Sequence, residues 1–136
     1  MLDRRTQTVQ KQIRDAGEDI LIIQEEIGSL LRAPIASDDP GVVFRCRLIL
    51  NKCRSLEQKL SELRAELPLE RKTAISHSLV DQDLQILGMQ KSTVSSLLSC
   101  IKQNNAILLE AKRATLTAEA FIIGERIKNN GKKHSS

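Results

Sequence analysis

The feature that most restricts this chain is a pair of heptad seams, one on each side of a proline-bearing loop. Over the first 30 residues, Leu2, Thr6, Val9, Ile13, Ala16, Ile20, Ile23, Ile27 and Leu30 follow one another at alternating steps of four and three. From residue 42 the pattern resumes with Val42, Cys46, Ile49, Cys53, Leu56, Leu60, Leu63 and Leu67. Of these 17 positions 16 are apolar, Thr6 being the exception. A repeat of 3.5 residues lays one stripe along one side of an α-helix, whereas a half-buried strand alternates with a period of two. A chain that holds this period through two long segments is committed to long helices packed lengthwise.

Composition narrows the class further. At 136 residues the chain has room for one domain. Its only aromatic residues are Phe44 and Phe121. That shortage argues against a sandwich or barrel, whose strands draw on aromatics, and against a single-stranded nucleic-acid platform, which needs rings for bases to stack on. The abundance of Leu, Ile and Val argues against global disorder.

Punctuation sets the expected boundaries. The first helix should stop near Ala33, because the residue before Pro34 avoids the α region. Asp39 suits an N-cap and Pro40 the first turn of the second helix. Leu21, Ile22 and Leu31 lie off the first seam, and Val43, Phe44, Leu48 and Leu50 widen the second at its start. Two helices that are broadest next to a short connection fit an antiparallel hairpin, thickest around Phe44.

Beyond Pro68, which either kinks a helix or opens a new one, the apolar face is carried by Ile75, Leu79, Val80, Leu84 and Leu87. Val94, Leu97, Leu98, Ile101, Leu108, Ala111, Thr115, Ala118 and Ile122 continue it at helical spacing. Gly88 and Ser92-Thr93 suggest a break, and Asn104-Asn105 place amides on or near the seam, where a buried amide fixes register.

The expected fold is therefore all-α, an elongated antiparallel helical hairpin or coiled coil with a third long helix that runs unbroken or breaks near 88–92. That makes a three- to four-helix bundle. One helical domain covers 1–128, with helices at about 2–33, 40–67 and 68–128, and residues 129–136, which hold no apolar side chain, are expected to be a disordered basic tail.

Charge is uneven. Residues 1–40 carry a net −3 and residues 41–67 a net +3, within a total of +4. That asymmetry favours pairing of Asp15, Glu18, Asp19, Glu25 and Glu26 with Arg45, Arg47, Lys52, Arg54 and Lys59. The same cations, with Arg126, Lys128, Lys132 and Lys133, are the candidates for phosphate or an acidic partner. Three cysteines, an odd number without C-x-x-C spacing, point to a reducing compartment. Cys46 and Cys53, seven residues apart on one seam, read as small core residues rather than metal ligands. No apolar stretch follows Met1 and no apolar run approaches the roughly 20 residues of a membrane span. The expectation is a cytoplasmic or nuclear chain, without a signal peptide or transmembrane segment.

Nothing in the sequence marks a catalytic centre. His77 and His134 have no ligand-spaced companions, the glycines are isolated, and the carboxylate pairs Asp38-Asp39 and Asp81/Asp83 read as a cap and a solvated face. The functional expectation is a non-enzymatic coiled-coil interaction subunit, without cofactor, that scaffolds or tethers partners in a larger helical complex. Its seam residues Ile13, Ile20, Ile23, Ile27, Ile49, Leu56, Leu60, Leu63, Ile101 and Leu108 are the candidate partner contacts, with Phe121 a further one. Other coiled-coil proteins are the expected partners, in hetero- rather than homo-oligomers. The alternatives are a nucleic-acid module working through the second helix and the tail, and a peripheral membrane adaptor.

Overall fold

The computed structural model describes residues 3–32, 40–103 and 105–134, with side chains as far as Asn129. Four helices follow one another: α1 (Arg4–Arg32), α2 (Pro40–Glu66), α3 (Ala74–Lys102) and α4 (Ala106–His134). At 1.5 Å per residue each is roughly 40 Å long. They form an all-α bundle, with no strand among the described residues.

Side-chain pairs fix the direction of each helix. Arg5 meets Glu66 at 2.6 Å and Lys52 meets Glu26 at 2.9 Å, so α1 and α2 are antiparallel. Lys91 with Glu57, at 2.7 Å, and the Arg64–Asp81 pair set α2 against α3 in the same sense. Arg113 Nε donates to the Leu31 carbonyl at 2.5 Å and Gln24 Nε2 to the Ala120 carbonyl at 2.6 Å, closing the ring with α4 antiparallel to α1. The cross-section is a rhombus: α1 and α3 touch across the short diagonal, and α2 and α4 make no close approach across the long one.

The two seams are the core. Every described position of the first is buried, from Thr6 to Leu30, and so is every position of the second, from Val42 to Leu67. Leu2, the end of the first helix at Ala33 and the Asp39 cap lie outside the described residues. Asp3 starts α1, its carboxylate accepting the Thr6 N–H at 2.6 Å, and that bond holds the Asp3 carboxyl below its usual range. Pro40 occupies the first position of α2.

The structure departs from the sequence reading in four places. Pro68 neither kinks a helix nor opens one. It ends α2, and α3 starts at Ala74 after a single 3-10 turn, Arg71–Thr73. A reciprocal capping box between Glu70 and Thr73 stabilises that turn, while the buried Thr73 hydroxyl donates to the Pro68 carbonyl at 2.5 Å. Second, there is no break at Gly88–Ser92. Leu87, Gln90, Thr93 and Val94 are buried on a continuous α3, and the Thr93 hydroxyl returns to the Met89 carbonyl at 3.1 Å within the helix. Instead α3 ends at Lys102, and Asn105 opens α4 by accepting the Leu108 N–H on Oδ1 at 3.1 Å. Asn105 is thus a cap rather than a seam amide; Asn104 lies outside the described residues. Third, Phe44 is 67 % exposed instead of filling the thick end of a hairpin. Fourth, α4 stays helical to His134, past residue 128.

Candidate interaction surface

The seam residues proposed from sequence as partner contacts meet helices of their own chain. Ile13, Ile20, Ile23, Ile27, Ile49, Leu56, Leu60, Leu63 and Ile101 are all buried in the four-helix core. Leu108 is the exception, at 42 % exposure on α4. The difference between Leu108 and the other nine leads to the surface.

Helix α4 is apolar on two opposite sides. Its inner stripe is Leu109, Leu116, Ala120, Ile123 and Ile127, all buried. Arg113 occupies the inner position between Leu109 and Leu116. Its reach to the Leu31 carbonyl satisfies one of the acceptors that the last turn of α1 leaves without an intrahelical donor. The outer stripe runs Ile107, Leu108, Ala111, Ala114, Thr115, Ala118, Phe121 and Ile122. At 100° per residue these eight span roughly 140°, centred opposite the inner stripe. No charged residue falls within that arc between Ile107 and Ile122. Ile107 is 84 % exposed, Phe121 69 % and Ile122 52 %. Single exposed apolar residues are ordinary, but a continuous stripe along roughly 22 Å of helix is not.

The face read from sequence for this stretch, from Leu108 through Ile122, is this outer stripe. The core uses the opposite one. Both keep helical spacing, so periodicity alone does not separate them. The discriminating signals are the long reach of Arg113 and the polar bonds beneath the inner stripe, which join residues far apart in the chain. There, Gln24 donates to Ala120 and accepts from Gln90 Nε2 at 3.1 Å. Gln90 Oε1 is buried without a hydrogen-bond partner among the described residues.

The basic candidates divide. Lys52 is paired with Glu26, the only such α1–α2 pair between the named acidic and basic residues among the described residues. Arg45, Arg47, Arg54 and Lys59 are exposed without an ion pair among the described residues. They flank Phe44 and Leu48 on two sides, Arg45 and Lys59 on one and Arg47 and Arg54 on the other. Arg126 donates to the Met89 sulfur at 3.8 Å and Lys128 lies 3.8 Å from Glu125. The side chains of Lys132 and Lys133 lie outside the described residues.

Other polar chemistry is scattered. Among the described residues no group of three or more His, Cys, Asp or Glu side chains is placed to hold a metal ion. All three cysteines are buried, and burial pushes the thiols of Cys46 and Cys53 up to about 11. Asp83, expected on a solvated face, is instead buried on α3, with Oδ2 unpartnered among the described residues. Desolvation raises its carboxyl to about 7. His77 rests against the Pro68 carbonyl at 3.2 Å, on the α2–α3 turn. No described helix is long and apolar enough to cross a membrane.

Fold and surface together define a class: a four-helix bundle with a second apolar face on its last helix. Comparison with protein-family models, with curated proteins and with solved structures gives no match.

Proposed function

We propose that this protein is a non-enzymatic interaction subunit, which uses the outward face of α4 to join other helices in a larger helical assembly. The supporting observation is the outer stripe itself: eight uncharged positions in helical register, with Ile107, Phe121 and Ile122 more than half exposed. Leaving such side chains in water forgoes roughly 25 cal/mol for each Å² a partner could cover. The bundle satisfies its own seams, so binding does not require it to unfold or exchange helices.

The test compares wild type with Phe121→Glu as immobilised bait. Proteins held through the stripe are retained by wild type and lost by the variant, while its helical circular dichroism stays unchanged. Identical retention by both chains refutes the reading.

A second reading has its own support in Arg45, Arg47, Arg54 and Lys59 on α2, exposed and without an ion pair among the described residues. These cations suit an anionic partner such as nucleic-acid phosphate. Binding of that kind weakens steeply between low and physiological salt and is lost when the four are replaced by Gln. No shift of a duplex or single-stranded probe at low salt ends it.

A further inference from the structure

The outer stripe of α4 is nearly a palindrome. About a midpoint between Ala114 and Thr115, residues at equal distances match in size. Ala111 mirrors Ala118, Leu108 mirrors Phe121, and Ile107 mirrors Ile122. Small side chains occupy the middle and large ones both ends. We propose that this face binds the same face of a second copy of the chain, antiparallel, about a two-fold axis through that midpoint. The inference rests on reading the stripe as an interaction surface, and it names the occupant.

A two-fold interface requires one patch to complement itself. In an antiparallel pair each large end meets the large end of the other copy: on one edge Phe121 packs beside Ile107, and on the other Leu108 packs beside Ile122. The central Ala111, Ala114, Thr115 and Ala118 let the helix axes approach to the short end of the usual 8–10 Å range. A parallel pair would instead bring Phe121 level with Phe121 and Ile107 level with Ile107, on opposite edges of the seam.

Charge favours the same arrangement. Lys112 and Glu119 lie seven residues apart on one edge of the stripe, exposed and without an ion pair among the described residues. Antiparallel helices bring like edges together, so Lys112 of each copy comes within about two residues' rise, roughly 3 Å along the axis, of Glu119 of the other. The two-fold axis makes this contact twice. In a parallel pair the two edges face apart from their own copies, and neither contact forms. Glu110 sits on the opposite edge, away from Glu119.

Sedimentation equilibrium on the full chain from about 5 to 500 µM reads the association directly. The expected result is a reversible monomer–dimer equilibrium in that range, in keeping with a single helix face smaller than a standard interface. Ala118→Glu weakens it by roughly tenfold or more, because a charge then faces Ala111 of the other copy. Lys112→Glu weakens it less, and adding Glu119→Lys restores it. All these positions are exposed, and unchanged circular dichroism and melting confirm that the bundle persists. Orientation is read by oxidation: Ala114→Cys gives a disulfide-linked dimer, and an Ile107→Cys chain crosslinks to an Ile122→Cys chain but not to itself. A chain that is monomeric at the highest concentration overturns self-pairing. So does a dimer indifferent to Ala118→Glu, or self-crosslinking of Ile107→Cys. If that monomer still loses bait-retained proteins on Phe121→Glu, self-pairing fails while the interaction-surface reading survives.

Discussion

The two diagonals of the bundle solve opposite problems. Across the short one, α1 and α3 bury polar groups: Gln24, Gln90, Thr93 and Asp83 are nearly inaccessible. Across the long one, α2 and α4 expose apolar groups: Phe44 and Leu48 on α2, and the stripe from Ile107 to Ile122 on α4. A rhombus gives its central pair a wide buried arc and its outer pair a narrow one. Residues beyond the narrow arc are wet whatever their chemistry. The buried amide bonds between helices thus sit on the central pair, and the longest exposed apolar stripe sits on the outer pair.

The comparison breaks most readily at the centre. Leu87→Ala, at a fully buried position on α3, is expected to remove about 2–5 kcal/mol, read as a lowered denaturant midpoint. Phe121→Ser on the outer pair should stay within about 0.5 kcal/mol by the same measurement. Equal losses would mean that α4 packs the other way round.

Next in size is Asp83. Its folded-state carboxyl titrates near 7 because burial opposes the charged form, well above the ordinary value of 3.8. The native state thus holds this proton more tightly than the unfolded chain. The stabilisation is full below the ordinary value and is lost as pH rises towards and through about 7. Melting temperature should rise on acidification from pH 8 to pH 5, and Asp83→Asn should abolish that part of the slope. At pH 8 the Asn variant should be more stable by about 2 kcal/mol, with about 4 as the ceiling. A flat wild-type profile over this window refutes the assignment.

Two smaller effects sharpen the picture at helix ends and interiors. Asn105→Ala removes the cap of α4 and should cost about 1 kcal/mol, while Asn105→Asp should be tolerated. Gly17→Ala on α1 should add about 1 kcal/mol, since a methyl group there meets nothing within 4 Å. Thermal melts of the two single variants and of their combination check both signs, and additivity is expected at such separation.

The same diagonals explain what could be read in the sequence. On α1 and α2, residues such as Ile13, Ile20, Cys46 and Leu60 were legible as a buried seam because heptad spacing left one consistent choice. Even Thr6, the one polar seam member, is buried with the rest. On α3 the local signal at Gly88 was outweighed. An interior glycine costs about 1 kcal/mol, less than burying neighbours such as Leu87 and Val94 returns. The real end of α3 was marked only by amides that also suited a seam. On α4 two stripes competed, and the spacing of Leu108 and Ile122 was as regular as that of Leu109 and Ile123. The candidate surface was therefore visible in the sequence as a pattern, and Phe121 as a candidate contact, but the side of the helix it occupies was not. Packing against α1 decided that side, through atoms of Gln24 and Leu31 some 80 to 100 residues away in the chain.

The closing contact between α1 and α4 also has a consequence in time. A nascent chain can fold α1 onto α2 and α3 as each emerges, but the edge of α1 around Gln24 and Leu31 must wait for α4. At synthesis rates of about 5–20 residues per second, a helix of this length takes seconds to follow. Through that interval the inner stripe of α4 has not yet been made, and the groove it will fill stays open to any passing amphipathic helix. The geometry that closes the ring therefore leaves one groove of the bundle open to a wrong partner until α4 is complete.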